Sequence, residues 1–352
     1  MFEFSKKIKI GKITISKDSP VCIIAEAGVN HDGKLAVAQK MIDVAAKTGA
    51  NVVKFQTFDT DEFLADRKVT YSYKVRGKVR KEPLYAMFKR LELPYAWYGG
   101  LVKRCQKRGI QFLSTPCDPG SVDFLDQFDV PAYKIASEDL INVNLLEYVA
   151  QRNKPVILST GMANKKEINM AVNIFRKYRH TDLMLLHCTS LYPTPPVETN
   201  LNRMLSLAKE YNVLVGFSDH TVGDEAAAGA VYMGAVLIEK HFTLSQKMAG
   251  PDHWMSLEPK DLNRLVMKIR QAEVLKGSPA MEESKTEKTD KIKHRRSIVA
   301  SRDLSKGTKL SEEHLTYKRP GQGLKPYEKD KLIGKNLKCD VKKDAQILAS
   351  MV

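Results

Sequence analysis

Long apolar runs are missing from this chain. No stretch approaches the ~18 apolar residues needed to cross a bilayer, so no membrane span is expected. Cysteine is scarce: Cys22, Cys105, Cys117, Cys188 and Cys339 are odd in number, and no two are spaced as CxxC. That disfavours a disulfide framework or a zinc knuckle, and a reducing cytoplasm is the expected setting. There is no zinc-finger spacing, no aromatic RNA-binding signature and no low-complexity tract. The opening MFEFSKKIKIGK is too charged to read as a signal peptide. Acidic residues are outnumbered, 41 against 57 basic ones, for a formal net charge of +16. Such a balance suits nucleic acid, an acidic membrane or an anionic small substrate. The lysines and arginines are spread through short mixed stretches, notably 68–82 and 283–296. Solvated basic loops are therefore expected, with neither nucleic acid nor membrane as partner.

What is present is a recurrence. Eight short apolar runs begin at VCIIAEAG (21–28) and end at AVLIEKHFT (235–243), separated by helix-like stretches such as KLAVAQKMIDVAAKTGA (34–50) and WYGGLVKRCQKRG (97–109). Near-continuous apolar strands alternating with amphipathic helices signal a parallel sheet covered by helices. Eight such units within ~220 residues match an α/β TIM (β/α)8 barrel. The chain is long enough for one large domain and one small one: residues 1–277 as the barrel, a polar linker over 278–293, and a small, mostly β domain over 294–352. Each run ends on polar residues: Glu26, Lys54, Ser114 and Thr115, Lys134 and Ser137, Ser159 and Thr160, His187 and Thr189, Ser218 and His220, Glu239 and His241. In a barrel those ends form one face, the one on which active sites are built.

His220 and His241 stand at equivalent positions on successive strand ends, which points both imidazoles into one mouth. Spacing leaves a transition-metal pair and an acid/base pair equally open. Asp219 and Glu239 are candidate ligands or groups that steer the rings. Lys54 and Lys134 sit inside apolar strands, where a cation is costly unless it meets an anion. Together with Thr115, Ser137, Ser159 and Ser218 they suit a phosphate or carboxylate; a Schiff-base lysine is the rival reading. Glu26 would face the mouth and move a proton or hold a hydroxyl, whereas Asn30 and His31 are expected to cap their loop.

Ten motifs in order resemble the sialic acid synthase family, the phosphoenolpyruvate-condensing synthases of nine-carbon acidic sugars. Among them are IAEAGVNHDG (24–33), VVKFQT (52–57), YKIAS (133–137), LHCTSLYPTP (186–195), GFSDHT (216–221), IEKHFT (238–243) and KRPGQGL (318–324). The tail resembles that family's C-terminal, antifreeze-like domain. The resemblance implies phosphoenolpyruvate binding by Lys54, Thr115, Lys134, Ser137, Ser159, Ser190 and Ser218. It implies a divalent ion, Mn²⁺ or Mg²⁺, on His220 and His241, and acceptance of an N-acetylmannosamine-type sugar by Gln56, Tyr192 and Asp252. Glu26 and Asp139 join the histidines as catalytic candidates. Asp139 stands where the family often carries glutamate, with Glu138 one residue early; Ser190 stands where asparagine is frequent. Arg319 matches an arginine that enters the partner subunit's site, which implies a domain-swapped homodimer. N-acetylneuraminate is the product the resemblance suggests first. Legionaminic- or pseudaminic-type acids from a diacetamido-trideoxyhexose, or a product of a 6-phosphorylated mannosamine, are the alternatives.

Overall fold

The first strands lie ahead of the eight runs. Lys7–Ile10 (β1) and Ile13–Ser16 (β2) pair antiparallel as a hairpin that the sequence reading does not anticipate. The barrel strands then follow: Cys22–Gly28 (β3) and Val52–Thr57 (β4). A second hairpin intervenes, Thr70–Val75 (β5) with Lys78–Pro83 (β6). The remaining six are Gln111–Pro116 (β7), Tyr133–Ile135 (β8), Val156–Ser159 (β9), Leu183–Cys188 (β10), Leu214–Asp219 (β11) and Leu237–His241 (β12). All eight pair in parallel, in the order β7-β4-β3-β12-β11-β10-β9-β8. The two end strands, β7 and β8, lie side by side and close the ring. This computed structural model describes residues 2–352 of the chain.

A helix follows each barrel strand, from Leu35–Lys47 to Pro259–Lys276. Helix Lys165–Lys177 shows why these segments coil. Asn164 and Glu167 form a capping box, and Ile168, Ala171, Val172 and Phe175 recur at helical spacing to bury one stripe. Among the described residues no helix is long and apolar enough to cross a membrane.

Alternation along the strands sorts the side chains into two cores. Ile23, Val53, Phe112, Leu158 and Phe217 point outward and pack beneath the helices. Ile24, Val52, Leu113, Ile157, Leu186 and Leu237 point inward, where Ile8, Ile10 and Ile15 of the first hairpin join them. The hairpin thus plugs the barrel from below; each of its buried isoleucines contributes roughly 1.5–3 kcal/mol. Two residues further along, the inward positions change character together. They become Glu26, Lys54, Thr115, Lys134, Ser159, Cys188, Ser218 and Glu239, every one of them buried.

The second unit spans residues 278–352. Ser297–Ala300 (β13) and Leu315–Lys318 (β14) pair antiparallel over a small core that includes Ile298, Leu310, Leu332 and Ile347. Part of the stretch expected to be a linker is helical. Ser284 and Glu287 cap helix Lys285–His294, none of whose residues is buried. Its alternating charge makes a solvated helix, which a reading based on low apolar content passes over.

Candidate active site

At the C-terminal end of the barrel the polar ring forms the floor of a cavity of about 260 Å³. Two lysines and two carboxylates share that floor. Lys54 Nζ lies 2.9 Å from Glu26 Oε1 and 3.7 Å from Glu239 Oε2, and Lys134 Nζ lies 3.8 Å from Glu239 Oε1. Burial works to raise the pKa of Glu239, but Lys134 and Lys54 outweigh it and hold the group at about 2. Glu26 has a weaker claim on the cations, and burial pushes it up to about 7 despite Lys54. Lys54 is lowered by burial but raised further by Glu239 and Glu26, so it stays above its ordinary range. Lys134 is pulled below its range, chiefly by burial. Glu26 therefore titrates near neutrality, and the floor gains positive charge when it takes up a proton.

The hydroxyls are already committed in a useful sense. Lys54 donates to Thr115 Oγ1 at 3.0 Å and Lys134 to Ser159 Oγ at 2.7 Å. Each oxygen serves as acceptor, so each hydroxyl proton is free for an anion in the cavity. Ser218 instead donates to Glu239 Oε1 at 2.9 Å. Ser137 Oγ accepts the Gly161 N–H at 3.0 Å. A Cβ at Gly161 would overlap Ser190 Oγ and come within 2.7 Å of Ser137 Oγ, so only glycine lets these serines close around the β9 end.

Above the floor stand the histidines, their ring centroids 5.4 Å apart. The Tyr192 ring leans over both, 4.2 Å from His220 and 5.9 Å from His241. The Thr189 carbonyl, 3.0 Å from His220 Nδ1, accepts its N–H and leaves the Nε2 lone pair unused. His241 Nδ1 is buried without a hydrogen-bond partner, 3.9 Å from Asp252 Oδ2. Burial and the neighbouring His220 keep His241 well below its ordinary pKa, so it is a neutral donor of lone pairs. Among the described residues no group of three or more His, Cys, Asp and Glu side chains is disposed to hold a metal by itself. Burial lowers the pKa of His220, but Cys188 and the Thr189 carbonyl raise it more. The imidazole pair and the orphaned Nδ1 fit an ion whose remaining positions are filled by water or substrate oxygens.

Asp219 is not part of this arrangement. It points to the other side of β11, where it accepts from Lys240 at 2.8 Å and from the Thr221 N–H at 2.8 Å. Ser114 and Thr57 also face outward, bonded to each other at 2.6 Å, as does His187, stacked on Phe217. These outward polar residues thus hold helices and loops in place. Asn30 binds the Phe242 carbonyl at 2.9 Å and His31 accepts the Gly33 N–H at 3.1 Å, both as loop fasteners.

Glu26, Lys54, Gln56, Thr115, Lys134, Ser137, Ser159, Tyr192, Ser218, His220, His241 and Asp252 are brought together on the cavity wall. Asp139 is not. It sits in a short 3₁₀ turn, accepting from Asn142 at 3.2 Å, and Glu138 lines the cavity instead. Ser190 lies behind the wall against Gly161. Arg319 belongs to the second unit, whereas every lining residue belongs to the first. The sequence reading treats Glu239 as a candidate ligand or a group that steers the rings and misses its place between two lysines. The parity of Glu239 and His241, two residues apart on one strand, is the signal that could have found it. Cys188, within the motif LHCTSLYPTP but given no role there, and the aromatic wall of Phe58, Phe63 and Phe88, outside the motifs, are further lining residues.

Fold and site together define a barrel enzyme with two buried lysines on the floor and a pair of imidazoles at the C-terminal mouth. Family comparisons are specific. The NeuB family profile matches residues 41–281 and the SAF domain profile matches 295–352. N,N'-diacetyllegionaminic acid synthase of Campylobacter jejuni is 41% identical over 327 residues, spanning 92% of this chain and 98% of that one. Human N-acetylneuraminate-9-phosphate synthase is 33% identical over 95% of this chain and 93% of that one. A crystal structure of the N-acetylneuraminic acid synthetase of Leptospira borgpetersenii, in complex with citrate, superposes with a TM-score of 0.74 at 36% identity. It covers 82% of this chain and 96% of that one. The chain belongs to the NeuB family of nonulosonic acid synthases and carries a C-terminal SAF domain.

Proposed function

We propose that the chain condenses phosphoenolpyruvate with the open-chain aldehyde of a 2-acetamido sugar and releases phosphate. One observation carries the reading: the floor that places Glu239 between Lys54 and Lys134 lies beneath the His220–His241 pair in a single cavity. The floor's two lysines and the free Thr115 and Ser159 protons suit the carboxylate and phosphate of phosphoenolpyruvate. His220 and His241 would hold a divalent ion; two imidazoles favour Mn²⁺ over the harder Mg²⁺. When bound, such an ion polarises the acceptor's aldehyde oxygen.

The enol carbon, C3 of phosphoenolpyruvate, forms the new bond to the aldehyde carbon, whose oxygen takes up a proton. Water adds to the cationic C2 and loses a proton. The C2–O bond to phosphate then breaks, and the water oxygen stays on C2. Glu26, near neutrality, is suited to giving or taking one of these protons. Gln56, Tyr192 and Asp252 surround the acceptor's position. Arg319 of a partner copy would complete it in a domain-swapped homodimer. For the sugar, the greater identity to the named legionaminic acid synthase supports a diacetamido-trideoxyhexose over N-acetylmannosamine or its 6-phosphate.

Phosphoenolpyruvate, Mn²⁺ and a panel of 2-acetamido sugars in ¹⁸O-water test the proposal. Sugar-dependent phosphate release with label at the product's C2 oxygen is expected. Label in phosphate, or phosphate release indifferent to sugar, overturns it. Borohydride with pyruvate should add no mass to Lys134, because a Schiff base has no part in this chemistry.

A further inference from the structure

The inward face of β4 changes polarity step by step. Lys54 lies on the floor, Gln56 two residues above it, and Phe58 two residues above that, just past the strand end. At ~3.3 Å per residue, Phe58 stands about 13 Å along the chain from the reacting floor. There it meets Phe88 at 5.4 Å and Phe63 at 5.9 Å, and those two rings meet at 5.2 Å. Leu84 and Met87 complete an apolar annexe that opens into the same cavity.

The charges around the annexe are turned on one another. Glu82 accepts from Tyr73 at 2.5 Å, from Arg90 at 2.8 Å and from Arg80 at 3.2 Å. Among the described residues that line the cavity, the only lysines and arginines are Lys54 and Lys134, both on the floor. An anionic group at the mouth would therefore meet rings and no cation of this wall.

We propose that the annexe of Phe58, Phe63, Leu84, Met87 and Phe88 is a specificity subsite that receives an apolar, methyl-bearing tail of the acceptor sugar and disfavours a hydroxymethyl or phosphorylated one. This rests on the proposed reaction. Carbon–carbon bond formation puts the acceptor's aldehyde end at the floor and the histidines, so its far carbons extend to the mouth. Aromatic walls stabilise a methyl by dispersion and by removing it from water, and they offer nothing to a hydroxyl that must leave its hydration behind.

The experiment compares three acceptors with the full chain: a 2-acetamido sugar ending in a C6 methyl, its hydroxymethyl counterpart and the 6-phosphate of the latter. A preference of about 10- to 100-fold in kcat/KM for the methyl sugar is expected, the range one group in an apolar pocket commands. Phe63→Gln and Leu84→Gln, at half-buried positions, are each expected to cut that ratio by about tenfold; circular dichroism melts check that they fold. Equal use of the methyl and hydroxymethyl sugars, preference for the phosphate, or a preference unchanged in both variants overturns the subsite and leaves the reaction standing. Failure of every acceptor to release phosphate removes the reaction itself, and the subsite with it.

Discussion

Lys54 Nζ stands 2.9 Å from Glu26 Oε1, and in the proposed reaction that group, when ionised, would compete for a cation that phosphoenolpyruvate also needs. Glu26→Gln removes a charge without removing the shape. If Glu26 carries a proton in the reaction, kcat should fall by about 10²- to 10⁴-fold. The KM for phosphoenolpyruvate should stay the same or fall, because Lys54 loses a rival anion. Steady-state phosphate release at varied phosphoenolpyruvate measures both; a raised KM with unchanged kcat would show Glu26 to be a binding group only.

Gly161→Ala tests how tightly the β9 end is built. The new methyl would overlap Ser190 Oγ and crowd Ser137 Oγ, and the Gly161 N–H would lose its line to Ser137. Overpacking of this kind costs about 1–3 kcal/mol. The expected result is a phosphoenolpyruvate KM raised by about tenfold or more, with the acceptor KM less affected.

His220 and His241 predict a metal requirement with a readout apart from turnover. EDTA should abolish phosphate release and Mn²⁺ restore it. Calorimetric Mn²⁺ binding should weaken by at least about tenfold in His241→Gln and in His220→Gln. Full activity of metal-free protein, or Mn²⁺ binding unchanged in both variants, would sink the assignment.

Arg319→Ala should raise the acceptor KM far more than the phosphoenolpyruvate KM. Mixing it with an otherwise intact Glu26→Gln chain should restore part of the activity if Arg319 acts in the partner subunit's site, since one hybrid mouth then has both residues. No recovery on mixing would refute the exchange.

Asp224 should control stability rather than catalysis. It is buried at the start of helix Glu225–Tyr232 and binds Arg264 at 2.8 Å and Lys268 at 2.5 Å, both on helix Pro259–Lys276. Burial raises its pKa, but Lys268 and Arg264 lower it more, so the folded value lies below the ordinary one. A depressed carboxylate contributes stability above its unfolded pKa and loses it as pH falls through the folded value. Asp224→Asn should therefore lower stability at pH 7 by about 1–2 kcal/mol, discounted because both cations are partly exposed. That is a Tm drop of about 2–4 °C, and the gap should close toward pH 3. A gap independent of pH would mean that shape, and not charge, is what Asn loses.

Much of this molecule is legible in one dimension. Strand and helix periods are local properties of the chain, so eight apolar runs with helices between them determine a barrel, and its C-terminal ends determine where polar residues collect. The recurring motifs determine the family. Alternation even determines which polar residues share a face: Glu239 with His241, and Ser218 with His220. Only the closed barrel decides who meets across the floor. The stagger of neighbouring strands brings Glu239 to two lysines more than a hundred residues away, and sends Asp219 outward to Lys240. A single 3₁₀ turn decides that Glu138 faces the cavity in place of Asp139. The aromatic mouth is the least legible part. Phe58 follows the end of β4, while Phe63 and Phe88 stand on two separate short helices with no period in common, and they form a wall only because the insertion after β4 folds back over the barrel.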